Sequence, residues 1–263
     1  METQELSLTH EGIKLKGYLY LPGKKVREKE STPLMILCHG IPRKQEDKVK
    51  GESEDGGYPA LAERCVKEGF PTFHFNFRGA GESEGNFDLQ GWTRDLNAFL
   101  DYIEDAYPNS AGNFYLWGFS AGAAVCTYLA SQDSRVKATA LAACPADFKS
   151  LFPEPELQNL LHRLRDTGII KDAGFPSNSL KWLENIYSLS PVKYVGQVAP
   201  TPLLIVHGDQ DELIPVSHAY QLFESAAEPK RILILPGAKH QLRKEEEAVE
   251  KCLQWFKKSD LPR

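Results

Sequence analysis

Residues 113–132 read NFYLWGFSAGAAVCTYLASQ, a segment that predicts a strand followed by a helix. It opens with a continuous apolar run, which is typical of a strand buried on both faces of a sheet. It closes with a helical pattern whose first residues are very small. GFSAG at 118–122 joins the two parts, so Ser120 is predicted to lie on a tight turn between strand and helix. A serine in that position presents its hydroxyl at the sheet edge, which makes Ser120 a candidate nucleophile.

The same G-x-S-x-G pattern occurs a second time, as GESEG at 81–85. That copy follows a predicted strand but runs into NFDLQG, which has no apolar helical period. The glutamates on both sides of Ser83 would also oppose negative charge on its oxygen. The helix predicted after Ser120 instead directs N–H groups and its positive dipole end towards such a charge. The context therefore favours Ser120 over Ser83.

Outward from this stretch, strand and helix patterns alternate along the chain. Residues 13–21 and the polar segment before them predict an opening hairpin, and apolar runs predict buried strands at 33–38, 72–77, 114–119, 138–143, 203–206 and 232–235. Helical patterns occupy 58–68, 92–106, 121–132, 216–227 and 243–257. This alternation is typical of an α/β protein, and it predicts a mostly parallel eight-stranded sheet with helices on both faces.

One segment interrupts the alternation. Residues 147–190 contain the helical pieces ELQNLLHRLR and LKWLENIYSL and no strand pattern. We expect a small helical cap here, inserted into a core formed by residues 1–146 and 191–263. Residues 43–57 (RKQEDKVKGESEDGG) predict a solvated loop, and whether this loop or the cap acts as a lid is left open.

The composition of the 263-residue chain excludes several classes of protein. The net charge of −5 comes with no basic stripe, so we expect no nucleic acid partner. No apolar run approaches the length of a membrane span, and the first residues do not resemble a secretory signal. The five cysteines form no C-x-x-C pair, which favours free core thiols, no metal ion and a cytoplasmic location. A homodimer is left open.

A serine nucleophile needs a base that takes its proton. Of the seven histidines, six have a structural explanation in a hairpin, a buried strand, a helical segment or a His-Gly turn: His10, His39, His74, His162, His207 and His218. His240 follows the last strand in LPGAKH, on a loop at the carboxyl edge of the sheet. Functional loops of parallel sheets gather at that edge, so His240 is the candidate base.

A carboxylate should orient the imidazole and stabilise its charged form. The stretch IVHGDQDELIP follows the penultimate strand and offers two aspartates. Asp209 directly follows a glycine and is better suited to hold the turn, whereas Asp211 lies further along the loop. Asp211 is therefore favoured, while Glu212 and Asp147 are weaker alternatives.

Two backbone N–H groups are needed to bind the oxyanion of a tetrahedral intermediate. One belongs to Ala121, directly after the nucleophile. The second is expected from the loop after the strand PLMILC, which reads HGIP at 39–42. Pro42 has no N–H group, so Ile41 is the candidate donor.

Together these residues resemble the α/β-hydrolase superfamily over nearly the whole chain. The matching pieces are HGIP (39–42), FNFRGAGESEG (75–85), GFSAG (118–122), HGDQDELIP (207–215) and GAKH (237–240). The piece RGAGES resembles the R-G-x-G-x-S loop of that superfamily, which shapes the edge of the site. The nearest similarity is to small cinnamoyl/feruloyl-type esterases and serine-aminopeptidase-like hydrolases. The resemblance implies a triad of Ser120, Asp211 and His240 and no metal or organic cofactor.

The sequence thus predicts a serine hydrolase that cleaves carboxylic esters of small to medium acyl or aromatic acids, with a small-molecule ester as its partner. Amide or thioester cleavage and acyl transfer use the same triad and stay as alternatives, and a non-catalytic ligand-binding scaffold is a further one. The predicted substrate contacts are apolar residues of the cap: Phe148, Leu151, Phe152, Trp182, Tyr187 and Leu189.

Overall fold

The sheet is built from eight strands in the part of the chain that this computed structural model describes, residues 1–23, 32–42, 57–107 and 112–259. The strands are β1 (Glu2–His10), β2 (Ile13–Leu21), β3 (Leu34–Cys38), β4 (Thr72–Asn76), β5 (Phe114–Phe119), β6 (Val136–Ala142), β7 (Leu203–Gly208) and β8 (Lys230–Leu235). Their order in the sheet is β1-β2-β4-β3-β5-β6-β7-β8. The pairs β1–β2 and β2–β4 are antiparallel and all others are parallel. The predicted fold class, a mostly parallel α/β sheet, is confirmed.

Helices connect the strands and cover both faces of the sheet. They are α1 (Tyr58–Lys67), α2 (Leu89–Ala106), α3 (Ala121–Ala130), α4 (Phe148–Leu151), α5 (Leu157–Asp166), α6 (Ser179–Ser188), α7 (Ser217–Ser225) and α8 (Glu246–Ser259). Short 3-10 turns lie at Glu154–Glu156, Pro191–Lys193, Val195–Gln197 and Leu242–Lys244. One apolar core lies between the sheet and α2, α3 and α7, and a second lies between the sheet and α1 and α8. Burial of strand residues on both faces explains why these strands are continuous apolar runs.

The segment between β6 and β7 contains α4, α5 and α6 and no strand. Its apolar residues join the same core as α2 and α3. The N–H of Phe87, in the loop after β4, donates to the carbonyl of Ile169 at 2.8 Å, and the indole N–H of Trp182 donates to the Phe87 carbonyl at 3.2 Å. The segment therefore packs on the loop after β4. The division of the chain at residues 147 and 190 stays a prediction.

Three further predictions concern the charged loop, a membrane span and a metal site. Of the predicted charged loop at 43–57, residues 43–56 lie outside the described residues. Within the described ranges, no helix combines the length and the apolar character that crossing a membrane requires. The described part of the chain also contains no group of three or more histidine, cysteine, aspartate and glutamate side chains placed to hold a metal ion.

Candidate active site

Ser120 lies between the end of β5 and the first residue of α3. Its backbone has φ 54° and ψ −124°, in the left-handed half of conformational space that residues with a side chain rarely adopt. Its N–H donates to the Ala142 carbonyl at 2.9 Å, which ties the turn to β6. A Cβ atom at Gly118 would lie 2.5 Å from the Cα of Ala123. The glycine is therefore required for strand and helix to approach closely enough to form this turn.

The HGIP loop packs directly on this turn. A Cβ atom at Gly40 would lie 2.8 Å from the Cβ of Ser120, so the backbone of Gly40 touches the candidate nucleophile. The His39 ring fixes this backbone. Its Nδ1–H donates to the Gly40 carbonyl at 2.7 Å and its Nε2 accepts the N–H of Phe77 at 3.0 Å. Burial lowers the pKa of His39 to about 4, which keeps the ring neutral and suits one donor and one acceptor.

The bond from His39 to Gly40 also sets the direction of the next N–H group. The carbonyl and the N–H of one trans peptide group point in opposite directions. Since the Gly40 carbonyl points to His39, the N–H of Ile41 points away from that ring. The N–H of Ala121 belongs to the first turn of α3, where N–H groups have no acceptor within the helix. Ala121 thus follows Ser120 directly, and Ile41 follows Gly40, whose backbone contacts Ser120.

Asp211 and His240 meet on the loops that follow β7 and β8. Oδ2 of Asp211 lies 2.8 Å from Nδ1 of His240, and Oδ1 lies 3.1 Å from the same nitrogen. Backbone bonds join the two loops: the N–H of Gln210 donates to the Ala238 carbonyl at 3.1 Å. The side chain of Asp211 is fully buried and that of His240 is 12% exposed. The imidazole is therefore held by its Nδ1 side, which leaves Nε2 for a proton transfer.

The environment of Asp211 stabilises its charged form. Burial raises the pKa of the carboxyl, but hydrogen bonds from His207 and His240 outweigh burial and hold the pKa well below its usual range. The N–H groups of Leu213 and Ile214 both donate to Oδ1 at 2.9 Å. A carboxylate with this many donors is an anion across the working pH range of proteins.

The alternative carboxylates have other partners. Asp209 accepts the N–H of Gly237 at 2.7 Å and so holds the turn, as its position after a glycine suggested. Glu212 accepts the backbone N–H of His240 at 3.4 Å. Asp147 caps α4 by accepting the N–H of Ser150 at 2.7 Å. The described structure thus pairs His240 with Asp211 through the ring.

Ser83, the serine of the second G-x-S-x-G pattern, has a structural role. It is fully buried, its hydroxyl donates to the Asn76 carbonyl, and it accepts the N–H of Lys16 at 3.0 Å. These bonds tie the loop after β4 to β2.

The sequence assigns His207 to a His-Gly turn and does not predict its contact with the site. In the structure its Nε2 lies 3.3 Å from Oδ2 of Asp211. Its position four residues before Asp211 was the one signal available in the sequence.

The six predicted contacts in the cap fall into two groups. Phe148, Trp182 and Leu189 are 2%, 5% and 5% exposed and belong to the core. The other three are only half-buried: Leu151, Phe152 and Tyr187. The Tyr187 hydroxyl donates to the Phe152 carbonyl, and the ring of Phe152 stacks on that of Phe148 with 5.9 Å between centroids. The first group packs the segment on the sheet, so only the second offers accessible surface.

Comparison of the sequence with known proteins identifies the α/β-hydrolase family, which the sequence motifs resemble. Residues 33–165, about half of the chain, match a family model described as the alpha/beta hydrolase fold. YfhR of Escherichia coli O157:H7 is 24% identical over 232 residues, which are 88% of this chain and 70% of YfhR.

Solved structures share the architecture over almost the full length. Est1E of Butyrivibrio proteoclasticus, solved with ferulic acid bound, has a TM-score of 0.70 at 23% identity and covers 96% of this chain and 97% of its own. The esterase domain of a Rhodothermus marinus protein has a TM-score of 0.68 at 18% identity and covers 98% of this chain and 99% of its own. At these sequence identities, the structural similarity is evidence for a shared fold only. Together with the sequence match and the strand–turn–helix around Ser120, it places this chain in the α/β-hydrolase family.

Proposed function

We propose that this protein is a serine hydrolase that cleaves carboxylic esters of small to medium acyl or aromatic acids. The observation that carries the proposal is the backbone of Ser120, a serine kept at positive φ between β5 and α3. Such a conformation costs about 1–3 kcal/mol, and it persists where the surrounding structure enforces it. An inert turn at this position would more readily hold glycine, which adopts positive φ without this cost. The bond between Asp211 and His240 supplies the rest of the machinery.

In the proposed reaction, the Ser120 hydroxyl attacks the ester carbonyl while Nε2 of His240 takes its proton. Asp211 accepts the Nδ1–H of His240 and stabilises the imidazolium that forms. His240 then gives its proton to the leaving alcohol, and the acyl group stays on Ser120. A water molecule, deprotonated by His240, attacks this acyl-enzyme. The bond between the acyl carbon and the Ser120 oxygen then breaks, His240 returns the proton to that oxygen, and the acid leaves. No cofactor enters these steps.

The oxyanion formed in each half-reaction is proposed to accept the N–H groups of Ile41 and Ala121. The contact of Gly40 with Ser120 supports this choice, because it brings the HGIP loop onto the nucleophile. For the acyl group we propose contacts with the half-buried cap residues Leu151, Phe152 and Tyr187. The aromatic side chains in this set, and the ferulic acid bound to the fold neighbour Est1E, support aromatic acids as one substrate class.

A paired substitution tests the nucleophile. Ser120→Ala should cut kcat for a p-nitrophenyl ester by about 10⁴–10⁶-fold and abolish labelling by a fluorophosphonate. Ser83→Ala is the matched control, because Ser83 is the central serine of the second G-x-S-x-G pattern but its hydroxyl bonds only to backbone groups. It should keep labelling and turnover. Labelling that survives Ser120→Ala, or wild-type protein that is folded yet unlabelled, would refute the proposal.

The type of bond cleaved is tested with a substrate panel. We expect p-nitrophenyl esters to be hydrolysed with higher kcat/KM than aminoacyl anilides or acyl-CoA thioesters. A preference for anilides would assign an aminopeptidase-like activity, and a preference for thioesters a thioesterase-like one. Product analysis with an added alcohol separates hydrolysis from acyl transfer, since a transferase would form the new ester.

A further inference from the structure

His207 lies beside Asp211 and has no part in the reaction steps above. It is the penultimate residue of β7, and its side chain is fully buried. Its Nε2 lies 2.9 Å from the carbonyl oxygen of Ile214 and 3.3 Å from Oδ2 of Asp211. Its Nδ1 has no hydrogen-bond partner among the described residues. The two polar contacts made by Nε2 are therefore both directed at the loop that carries Asp211.

The partners of Nε2 determine which ring nitrogen of His207 carries the hydrogen. A carbonyl oxygen only accepts, so Nε2 must carry a hydrogen and donate it to Ile214. Oδ2 of Asp211 lies 3.3 Å from the same nitrogen, as a second and longer polar contact. The bond to Ile214 closes the loop 208–214 onto the end of β7, and the contact with Oδ2 reaches the functional side chain within that loop.

We propose that His207 is a positioning residue that holds the Asp211 carboxylate in the orientation that His240 requires; this inference rests on the proposed function. Oδ1 of Asp211 is occupied by the N–H groups of Leu213 and Ile214. Those bonds fix one oxygen only. The contact from His207 restrains the second oxygen, which is the one that lies 2.8 Å from Nδ1 of His240. The carboxylate is thus held at both oxygens, and its rotation is opposed.

Loss of this contact affects geometry rather than substrate binding. Without the Nε2 donor, Oδ2 has a single partner and the closing bond of the loop is missing. A displacement of about 1 Å in a catalytic group lowers rates by up to about 10²-fold. Because His207 is fully buried and touches no accessible surface, KM should be nearly unchanged.

Two amide substitutions separate the donor from the bulk of the ring. Glutamine at position 207 carries an N–H group near the place of Nε2, whereas the shorter asparagine reaches only the place of Nδ1. His207→Gln should keep kcat within about threefold of wild type, while His207→Asn and His207→Leu should lower kcat by about 10–100-fold with KM within about twofold. The control is His74→Leu, which removes a buried ring that stacks on Tyr18 and Tyr20 in β2, far from Asp211 in sheet order. It should leave kcat unchanged.

A structural readout makes the test independent of activity. Crystal structures of the Gln and Asn variants should show the bond between Asp211 and His240 kept in the first and lengthened or broken in the second. If His207→Leu does not fold, the Gln and Asn pair decides. Asn and Gln variants with equal kcat and an intact Asp211–His240 bond overturn the inference. A wild-type protein without turnover, whose Asp211–His240 bond nonetheless breaks only in the Asn variant, refutes the proposed function and upholds the role of His207.

Discussion

Ser120 shows how a single backbone conformation is enforced by its neighbours. Three contacts surround it. The backbone of Gly118 lies against α3, the backbone of Gly40 lies against the Cβ of Ser120, and the N–H of Ser120 donates to the carbonyl of Ala142. Each leaves the turn no room to relax to negative φ. The strain at Ser120 is therefore balanced by the packing of β5, β6 and the HGIP loop. Relief of this strain should raise the free energy of unfolding.

Substitution at this position separates strain from chemistry. Ser120→Ala keeps a Cβ at φ 54° and so keeps the strain, whereas Ser120→Gly removes about 1–3 kcal/mol of it. The greater freedom of glycine in the unfolded chain offsets about 0.5–1 kcal/mol. We expect Ser120→Gly to be more stable than Ser120→Ala by about 1 kcal/mol, or about 2–4 °C in Tm. Thermal unfolding of both inactive variants checks this, and a lower Tm for the glycine variant would contradict it.

One side chain makes three hydrogen bonds between the loop after β4 and the segment between β6 and β7. Oδ1 of Asn86 accepts the N–H groups of Lys171 and Asp172 at 2.8 and 2.9 Å, and its Nδ2 donates to the Asp172 carboxylate at 2.7 Å. The N–H of Phe87 adds the bond to Ile169. This fastening holds the chain between α5 and α6 against the loop that carries Ser83. Tyr187, one of the proposed acyl contacts, lies in α6, which follows this part of the chain.

Removal of the Asn86 side chain should loosen the cap without unfolding the sheet. Each hydrogen bond contributes about 0.5–1.5 kcal/mol, so Asn86→Ala should raise amide exchange at residues 168–175 by about tenfold. Exchange in β5 should stay as in wild type. Asn97→Ala is the matched control, because Asn97 lies exposed on α2 and bonds to Asp101 in its own helix. Equal exchange in both variants would show that Asn86 does not fasten the cap.

Helix ends show what the sequence pattern could and could not predict. The apolar pattern predicts the start of α2 at residue 92, yet the helix begins at Leu89, because Asp88 caps it by accepting the N–H of Gly91 at 3.0 Å. A capping side chain fixes the first residue of a helix, and a single apolar residue such as Leu89 is too short a pattern to predict it. Apolar runs, by contrast, predicted β3 and β5 nearly to the residue, since burial on both faces leaves no polar position in them.

The sheet order and the partners of Asp211 needed the folded chain. Strand–helix alternation predicts a parallel sheet, but it does not distinguish β4-β3-β5 from other orders. His207 illustrates the same point for the site. Its role depends on the path of the loop 208–214, which brings Ile214 back to the end of β7, and no local pattern encodes that path. Motifs predict the candidate residues of the site, whereas the contact between His207 and Asp211 has no motif of its own and depends on the path of the chain.

One buried ion pair links three parts of the molecule. Arg78, after β4, bonds to the carboxylate of Asp95 in α2 through its side chain at 2.6 Å and through its backbone N–H at 2.9 Å. The same guanidinium reaches Glu11 in the β1–β2 turn at 2.9 Å. Asp95 is fully buried and Arg78 nearly so. The pair therefore couples the hairpin, the R-G-x-G-x-S loop and α2 in one network.

Breaking this ion pair should lower the free energy of unfolding of the whole fold. Asp95→Asn preserves shape but leaves a buried guanidinium without its main counter-charge, and we expect a loss of about 3–5 kcal/mol in the free energy of unfolding. Glu11→Gln is the control: the Glu11 side chain is 40% exposed, so its ion pair contributes less than about 1 kcal/mol. Urea unfolding with an unchanged m-value measures both. Similar losses of unfolding free energy in Asp95→Asn and Glu11→Gln would mean that burial does not decide the strength of this network. Recovery of unfolding free energy in the double variant Arg78→Leu/Asp95→Leu would show that the penalty comes from the unpaired charge.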